Sequence, residues 1–133
     1  MRLALAALIS LSLTGLPLAA GAQSSVRTEA LSAGAFSVTL HLHPFLQGQE
    51  LEVLRQLGAS EEAMLAFIGP ADSYGAIAVS PRQGFFRDGA PVPSALPISQ
   101  LPDAETARRA AIDACSNAAG RRCVVVLEAG PSR

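Results

Sequence analysis

The two cysteines are the first residues of this chain whose chemistry and spacing carry information. Cys115 and Cys123 are the only cysteines, and seven residues separate them. This gap differs from the C-x-x-C spacing of oxidoreductases, and no second ligand pair accompanies it, so the pattern disfavours a redox or metal-binding thiol pair. Cys115 falls in the last turn of a predicted helix and Cys123 begins a predicted strand, which brings their Cβ atoms within reach. The sequence therefore predicts a Cys115–Cys123 disulfide.

The two histidines offer a second kind of chemistry. His41 and His43 are the only histidines, and their i, i+2 spacing places both imidazoles on one face of a predicted strand. Two imidazoles in this arrangement can bind one Zn²⁺ or Cu²⁺ ion when further ligands come from elsewhere in the fold. The other interpretation is a solvated polar strand face, and we favour it over the metal site.

The carboxylates and serines show no pattern of a catalytic site. Asp72, Asp88 and Glu128 lie beside predicted strands, but nothing in their spacing makes them converge, and we interpret them as solvated surface groups. Ser80 precedes Pro81 in a predicted turn and lacks the G-x-S-x-G context of a serine nucleophile. We therefore expect no catalytic residues, and a protein that is not an enzyme.

The first 22 residues predict export from the cytoplasm. Arg2 provides a positive charge, Leu3 to Leu18 is an almost unbroken apolar run, and Ala20-Gly21-Ala22 is the small-residue pattern that signal peptidase recognises. The run is shorter than the roughly 20 residues of a membrane-spanning helix, and no basic flank follows it. We expect cleavage between Ala22 and Gln23 and no stable membrane anchor. The mature protein is then periplasmic or secreted, where a disulfide persists.

Composition excludes several classes of function. All ten basic residues are arginines, which excludes a P-loop and a lysine-bound pyridoxal phosphate, and we expect no cofactor. Without Arg2 the chain carries nine arginines against eleven acids, a formal net charge of −2, and no basic run suggests a nucleic-acid partner. Four arginines near the last predicted helix are interpreted as a solvated basic edge: Arg108, Arg109, Arg121 and Arg122.

The length of the mature chain predicts one small domain with a single core. Residues 23–34 are polar and small and predict a flexible leader, residues 35–129 form the predicted domain, and residues 130–133 form its tail. Four prolines between Gly89 and Pro102 predict an irregular connection or an edge strand in that segment.

Hydrophobic periodicity predicts an α+β fold. Alternating or continuous apolar residues predict three or four strands in a mostly antiparallel sheet, over residues 36–43, 74–79, 84–88 and 123–128. Residues 49–57 predict a helix that ends at Gly58, and Ser60 caps a second helix with Met64, Leu65 and Ile68 facing inward. An alanine-rich helix runs from the cap Asp103 to Gly120, and its small residues predict close packing on the sheet.

Parts of the C-terminal half together form a known pattern. They are Tyr74-Gly75-Ala76-Ile77-Ala78-Val79-Ser80-Pro81, Gly84, the alanine-rich helix with Cys115, and Cys123-Val124-Val125-Val126. In these segments the chain resembles the small secreted bacterial family called domain of unknown function 4189. The resemblance implies export, an α+β fold and the cysteine pair. It implies no catalytic residues, because that family has no established activity.

The same strand motif makes the chain similar to short exported alphaproteobacterial proteins, some of which carry the name 5-aminolevulinate synthase. That activity needs a pyridoxal lysine, and this chain contains no lysine. We therefore expect an exported, disulfide-linked module that binds a protein or envelope ligand. A metal-binding protein that uses His41 and His43 is the alternative, and a small hydrolase or hydrolase inhibitor is a third hypothesis.

Overall fold

A computed structural model describes residues 26–132 of the protein and confirms the α+β class. The predicted signal peptide and the Ala22–Gln23 cleavage site lie outside the described residues. The elements follow one another as β1 (Arg27–Ala33), β2 (Phe36–Leu42), α1 (Gly48–Ala59), α2 (Glu61–Ile68), β3 (Tyr74–Val79), β4 (Phe86–Arg87), β5 (Ala90–Pro91), β6 (Pro97–Leu101), α3 (Ala104–Ala119) and β7 (Val124–Pro131). None of the helices over 26–132 has the length and apolar character needed to cross a membrane.

The main sheet has five strands in the order β1-β2-β7-β3-β6, and every neighbouring pair is antiparallel. This confirms the predicted mostly antiparallel sheet, although the number of strands is larger than the predicted three or four. The last strand, β7, lies in the centre of the sheet, where Val126 and Leu127 are fully buried. Both of its edges are therefore paired, and the C-terminal part of the chain holds the sheet together.

The prediction of a flexible leader over 23–34 is wrong for the residues of β1. Leu31 packs against the core and Ala33 is buried, whereas the intervening Ser32 is exposed, so the segment alternates as a strand does. Its small side chains conceal this alternation in the sequence. Gly34, with φ of 59°, allows the two-residue turn that pairs Ala33 with Phe36 of β2.

Residues 84–102 also differ from the prediction. Only Phe86 and Arg87 of the strand predicted over 84–88 are extended, and they pair with β5 outside the main sheet. The turn between them contains Asp88 and Gly89, both with positive φ. Farther along, β6 forms an edge of the main sheet, which confirms the edge-strand option for 89–102.

The predicted tail 130–133 is ordered up to Ser132, because β7 continues to Pro131. The backbone N–H of Ser132 donates to the carbonyl of Ala35 at 2.8 Å, which attaches this end to the β1–β2 turn. The strand therefore extends three residues past the predicted end at residue 128, through Ala129, Gly130 and Pro131.

Two details of the first helices correct the sequence interpretation. Gly58 does not end α1; a Cβ there would lie 3.0 Å from Leu31 Cδ1, so this helical glycine lets α1 approach β1 closely. The helix ends at Ala59, and the hydroxyl of the next residue, Ser60, accepts a hydrogen bond from Ala63 N–H at 3.1 Å and caps α2 as predicted. Met64 and Ile68 are buried as expected, but Leu65 is 49% exposed.

The two faces of the sheet are covered by different kinds of side chain. Helices α1 and α2 cover one face with large aliphatic residues, including Leu54, Met64 and Ile68. On the other face, α3 packs on β3, β6 and β7 through small residues. Buried alanines make this contact: Ala107 and Ala111 from α3, and Ala76 and Ala78 from β3. The alanine-rich helix therefore lies on the sheet as predicted.

The predicted disulfide links the last turn of α3 to the residue before β7. Cys115 and Cys123 are both buried, with an S–S distance of 2.05 Å and a Cα–Cα distance of 6.0 Å. On the chain-entropy model, closing a loop of this length contributes about 2.5 kcal/mol. The cross-link holds the C-terminal end of α3 against the central strand.

A buried carboxylate fixes the backbone on the α1 side of the protein, on the sheet face opposite α3. The side chain of Glu50, in the first turn of α1, is 2% exposed. Its Oε2 atom accepts hydrogen bonds from the backbone N–H groups of Phe85 at 2.5 Å and Phe86 at 3.1 Å. Its Oε1 atom accepts from Gln47 N–H at 3.4 Å, at the start of the same helix. One side chain therefore caps α1 and fixes the β3–β4 connection to it.

The neighbours of Glu50 keep it ionised. Burial alone would raise the pKa of this carboxyl, but the three backbone N–H donors and the Arg87 guanidinium outweigh burial and lower the pKa below its ordinary value of 4.5. Gly84 completes the arrangement, since a Cβ there would lie 2.7 Å from Glu50 Oε2. The charge is thus stabilised mainly by backbone dipoles rather than by solvent.

Replacing Glu50 with Gln is expected to lower the free energy of unfolding by about 2 kcal/mol, because a buried N–H then loses its charged acceptor. Urea denaturation measures this loss. The matched change Glu52→Gln, at an exposed position of α1, should alter stability by less than about 0.5 kcal/mol. Since the pKa of Glu50 is lowered on folding, its contribution is present above pH 4.5 and declines below that value. Equal losses of unfolding free energy in Glu50→Gln and Glu52→Gln would contradict the role of Glu50 in fixing the β3–β4 connection to α1.

Candidate functional site

An open polar cleft lies on the α3 side of the sheet, between the first turn of α3 and strands β1 and β2. Its volume is about 950 Å³. Hydroxyl groups of Ser32, Ser37 and Thr39 line one wall, and residues of the first turns of α3, including Arg108, line the other. Glu128 of β7 forms the floor. The cleft exists because α3 packs on β3, β6 and β7 and leaves the polar face of β1 and β2 accessible.

Glu128 joins three elements at the floor of this cleft. It lies on the central strand, with Thr39 of β2 as its neighbour on one side and Ala76 of β3 on the other. Its Oε2 atom lies 2.5 Å from Nε2 of His41, and its Oε1 atom accepts a hydrogen bond from Arg108 at 3.2 Å. The carboxylate therefore connects β2 to α3 across β7.

The environment of Glu128 favours its charged form. Partial burial would raise the pKa of the carboxyl, but the hydrogen bond and charge of His41, together with those of Arg108, lower the pKa below its ordinary value of 4.5. The side chain is only 16% exposed, so both partners act with limited screening by solvent. Glu128 is therefore a fixed negative charge at neutral pH.

Both histidines use their Nε2 atoms in contacts that stabilise the fold. Because a carboxylate and a carbonyl oxygen accept hydrogen bonds at neutral pH, the contacts assign Nε2–H to both rings. His41 donates to Glu128, and His43 donates to the backbone carbonyl of Val125 at 2.8 Å. Strand pairing between β2 and β7 ends at Leu40, so the imidazole of His43 supplies the donor that a backbone N–H would otherwise provide.

The structure places the predicted metal pair on one strand face, where the Nε2 atom of each ring contacts a different partner. The ring centroids of His41 and His43 are 6.4 Å apart, and their planes differ by 30°. Within residues 26–132, no group of three or more His, Cys, Asp or Glu side chains is placed to hold a metal ion. Metal binding through these histidines stays a prediction, and it would use their Nδ1 atoms if the present contacts persist.

Tyr74 lines the cleft at the start of β3, and a glycine on the neighbouring strand makes room for it. A Cβ at Gly130 would lie 2.6 Å from Cδ1 and Cε1 of the Tyr74 ring. The ring therefore lies directly on the backbone of β7. This contact fixes the only aromatic side chain that lines the cleft within the described part of the chain.

The rim of the cleft carries further acidic groups. Asp103 caps α3 by accepting hydrogen bonds from Thr106 N–H at 2.8 Å and from Thr106 Oγ1 at 2.9 Å. These bonds lower the pKa of Asp103 below its ordinary value of 3.8. With Glu105 and Glu128, three carboxylates and the Arg108 guanidinium line the cleft. The described lining thus carries a net negative charge beside several hydroxyl groups.

The interpretation of Glu128 as a solvated surface group is wrong, whereas Asp72 and Asp88 are exposed as expected. The signal for Glu128 was present in the sequence, because a single acid that interrupts the apolar run of a central strand must find partners. Those partners lie 20 and 87 residues away, in Arg108 and His41. Local spacing could not identify them.

Ser80 is buried in the turn after β3, where its carbonyl accepts hydrogen bonds from the backbone N–H groups of Gln83 and Gly84.

Comparison with known proteins assigns the chain to no group. No family model, no curated protein and no solved structure matches it. The role of the cleft is therefore inferred from its geometry and chemistry.

Substituting Glu128 with Gln is expected to lower the free energy of unfolding by about 1 to 2 kcal/mol at pH 7, because the hydrogen bonds from His41 and Arg108 lose their anionic acceptor. The pKa of Glu128 is lower in the folded protein, so its stabilising contribution is present above pH 4.5 and is lost as the pH falls. The difference between wild type and variant should therefore shrink between pH 5 and pH 3, as followed by urea denaturation.

Glu105→Gln is the control, because Glu105 is 68% exposed and its pairing with Arg109 has an N···O distance of 3.6 Å. Exposed pairs of this kind contribute little, so its stability should match that of wild type at each pH. A Glu128→Gln variant that is as stable as wild type at pH 7 would show that the carboxylate does not hold the floor of the cleft.

Proposed function

We propose that this protein is an exported, non-enzymatic binding module that holds a polar protein or envelope ligand in the cleft above Glu128. The observation that carries the proposal is a polar cleft whose floor is fixed by charged contacts. Ligand sites are typically concave and place a few polar groups to orient the bound molecule. In this cleft those groups are the hydroxyls of β1 and β2, Arg108 and Tyr74.

Pre-organisation supports binding in this cleft. Glu128 is held by two partners, and Tyr74 is held by its contact with Gly130, so neither side chain needs to be ordered when a ligand arrives. Ser37 and Thr39 lie on a strand whose two edges are paired. Rigid elements of this kind hold binding groups more accurately than loops do.

The charged groups of the cleft favour recognition over catalysis. One oxygen of Glu128 accepts from His41 and the other from Arg108, so both oxygens already bind partners within the fold. Arg108 is 46% exposed and reaches Glu128 through NH1, which leaves its other N–H groups able to bind acceptors on a ligand. These features support a binding site that presents both donors and acceptors.

Export is supported by the signal-peptide pattern of residues 1–22 and by the disulfide. A buried cross-link that holds α3 on the sheet is typical of proteins that fold in an oxidising compartment. The mature domain would then reside in the periplasm or the extracellular medium. Both compartments contain the protein and envelope ligands that the proposal requires.

One observation favours metal binding as a second candidate function. An imidazole whose N–H donates to a carboxylate has the orientation found in metal-ligating histidines, and His41 donates to Glu128 in this way. The Nδ1 atoms of His41 and His43 would then be the ligands for Zn²⁺ or Cu²⁺. Further ligands would have to come from a partner or from solvent.

The binding proposal predicts that filling the cleft abolishes capture of its ligand. Ala104 and Ala118 are exposed alanines of α3, and only Ala104 lines the cleft. Immobilised wild-type protein should retain a component of the solubilised envelope fraction of its host, identified by mass spectrometry. The Ala104→Trp variant should retain at least about tenfold less, as expected for about 1.4 kcal/mol of lost binding. The Ala118→Trp control should match wild type.

The same experiment can contradict the proposal. Equal capture by both tryptophan variants would place the binding surface elsewhere, and no capture by wild type would remove the support for an envelope ligand. Circular dichroism and melting temperature establish that both variants remain folded.

Export predicts a defined amino terminus. When the full chain is expressed with its own leader in a bacterial host, the protein from the periplasmic fraction or medium should begin at Gln23, because signal peptidase cleaves after the small-residue pattern. Intact-mass spectrometry identifies this terminus. The Ala20→Leu plus Ala22→Leu variant should retain the leader, since large residues block the cleavage site. A wild-type protein that keeps Met1 and stays in the cytosol would contradict export.

A further inference from the structure

A second cavity lies on the opposite face of the protein, between α1, α2 and the β4–β5 hairpin. Its volume is about 490 Å³, and every described residue that lines it is apolar. Three of the five phenylalanines of the chain take part: Phe67, Phe85 and Phe86. The cavity is separate from the polar cleft, because no residue lines both of them.

The walls of this cavity are held in place by contacts that do not depend on its being filled. Glu50 accepts the backbone N–H groups of Phe85 and Phe86, which attaches one wall to the first turn of α1. On the other side, Ser60 caps α2, which carries Phe67. These polar contacts position the backbone of both walls, and an apolar occupant would gain contacts with the side chains that line the cavity.

The size and lining of the cavity fit a single hydrocarbon chain. Its volume lies within the range of roughly 300 to 1,000 Å³ typical of small-molecule sites. It is about three times the ~150 Å³ of an apolar cavity that binds one benzene molecule. A flexible unbranched chain of about twelve carbons therefore fits the available space. Burial of each methylene group removes apolar surface from water on both sides of the contact.

A positive charge lies next to this apolar wall. The guanidinium of Arg87 is close to Gly84, the residue before Phe85, since a Cβ at Gly84 would lie 2.8 Å from its NH2 atom. Its distance to Glu50 Oε1 is 3.8 Å, and its side chain is 48% exposed. Glu50 already accepts three backbone N–H bonds, so Arg87 retains donors for another anion. A carboxylate on the hydrocarbon chain would complement this charge.

We propose that the cavity between α1, α2 and the β4–β5 hairpin binds the chain of a fatty-acid-like monocarboxylate, with its carboxylate at Arg87. This site is independent of the polar cleft and of the ligand proposed there. The apolar lining determines affinity through chain length, and Arg87 determines the preference for an anionic head group.

Titration of the full-length protein with octanoate, decanoate and dodecanoate, below their micelle concentrations, tests the proposal by isothermal calorimetry. Dodecanoate should bind with a stoichiometry of one, and each added methylene should lower Kd about fourfold, because about 0.8 kcal/mol is gained per buried methylene. Ala66→Trp, which fills the cavity from α2, should weaken dodecanoate binding at least about tenfold. The control Ala118→Trp, on the far end of α3, should leave it unchanged.

Arg87→Gln tests the head-group assignment separately. It should raise the Kd of dodecanoate about tenfold and leave the Kd of dodecanol unchanged, because only the carboxylate uses the guanidinium charge. Equal effects on both ligands would overturn the assignment of Arg87. Absence of saturable dodecanoate binding, or binding that survives Ala66→Trp, would overturn the site itself. Loss of binding in Ala104→Trp in place of Ala66→Trp would assign the fatty acid to the polar cleft and would also overturn it.

Discussion

Close packing between α3 and the small residues of the sheet determines which part of the sheet stays accessible. Ala107 and Ala111 of α3 meet Ala76 and Ala78 of β3, and the disulfide holds the end of the helix against the central strand. The helix packs on β3, β6 and β7, so β1 and β2 keep an accessible polar face. The polar cleft follows directly from this contact. Larger side chains at the alanine positions would lift the helix from the sheet and alter the walls of the cleft.

Two carboxylates compensate for a core that contains no tryptophan and few aromatic residues. Glu50 holds the β3–β4 connection to α1 through backbone N–H groups, whereas Glu128 connects β2 to α3 through the side chains of His41 and Arg108. In both cases the surroundings lower the pKa, so the charge persists in the folded protein. Buried charges are costly unless they are paired and hydrogen-bonded, and each of these has at least two partners. Each carboxylate also lies next to one of the two cavities.

Much of the fold follows from local sequence patterns. The alanine-rich helix, its Asp103 and Gly120 caps, the strand 74–79 and the disulfide are all where periodicity and spacing place them. The prediction fails where small residues conceal a strand, as in β1, and where tertiary contact overrides a local signal. Gly58 does not end α1; it lies where the helix approaches β1 closely. Leu65 faces solvent, although its neighbours Met64 and Ile68 are buried.

The candidate site was less accessible to sequence reasoning than the fold, because its contacts join residues far apart in the chain. The sequence alone marks His41 as a chemically capable residue, but its partner Glu128 is 87 residues away, and Arg108 comes from a third element. Spacing within one strand indicated a histidine pair, whereas the sheet pairs each histidine with a different group. Only the order of the strands, with β7 between β2 and β3, brings these residues together.

We propose that the open half of the α3 face is a ligand site. Backbone amide chemical shifts of the ¹⁵N-labelled protein, recorded as a solubilised envelope fraction is added, test it most directly. A ligand in the cleft should shift only the amide signals near it, those of Ser37, Thr39, Arg108 and Glu128. Shifts that leave these residues unchanged and appear on another surface, or no shifts at saturating amounts, would contradict it.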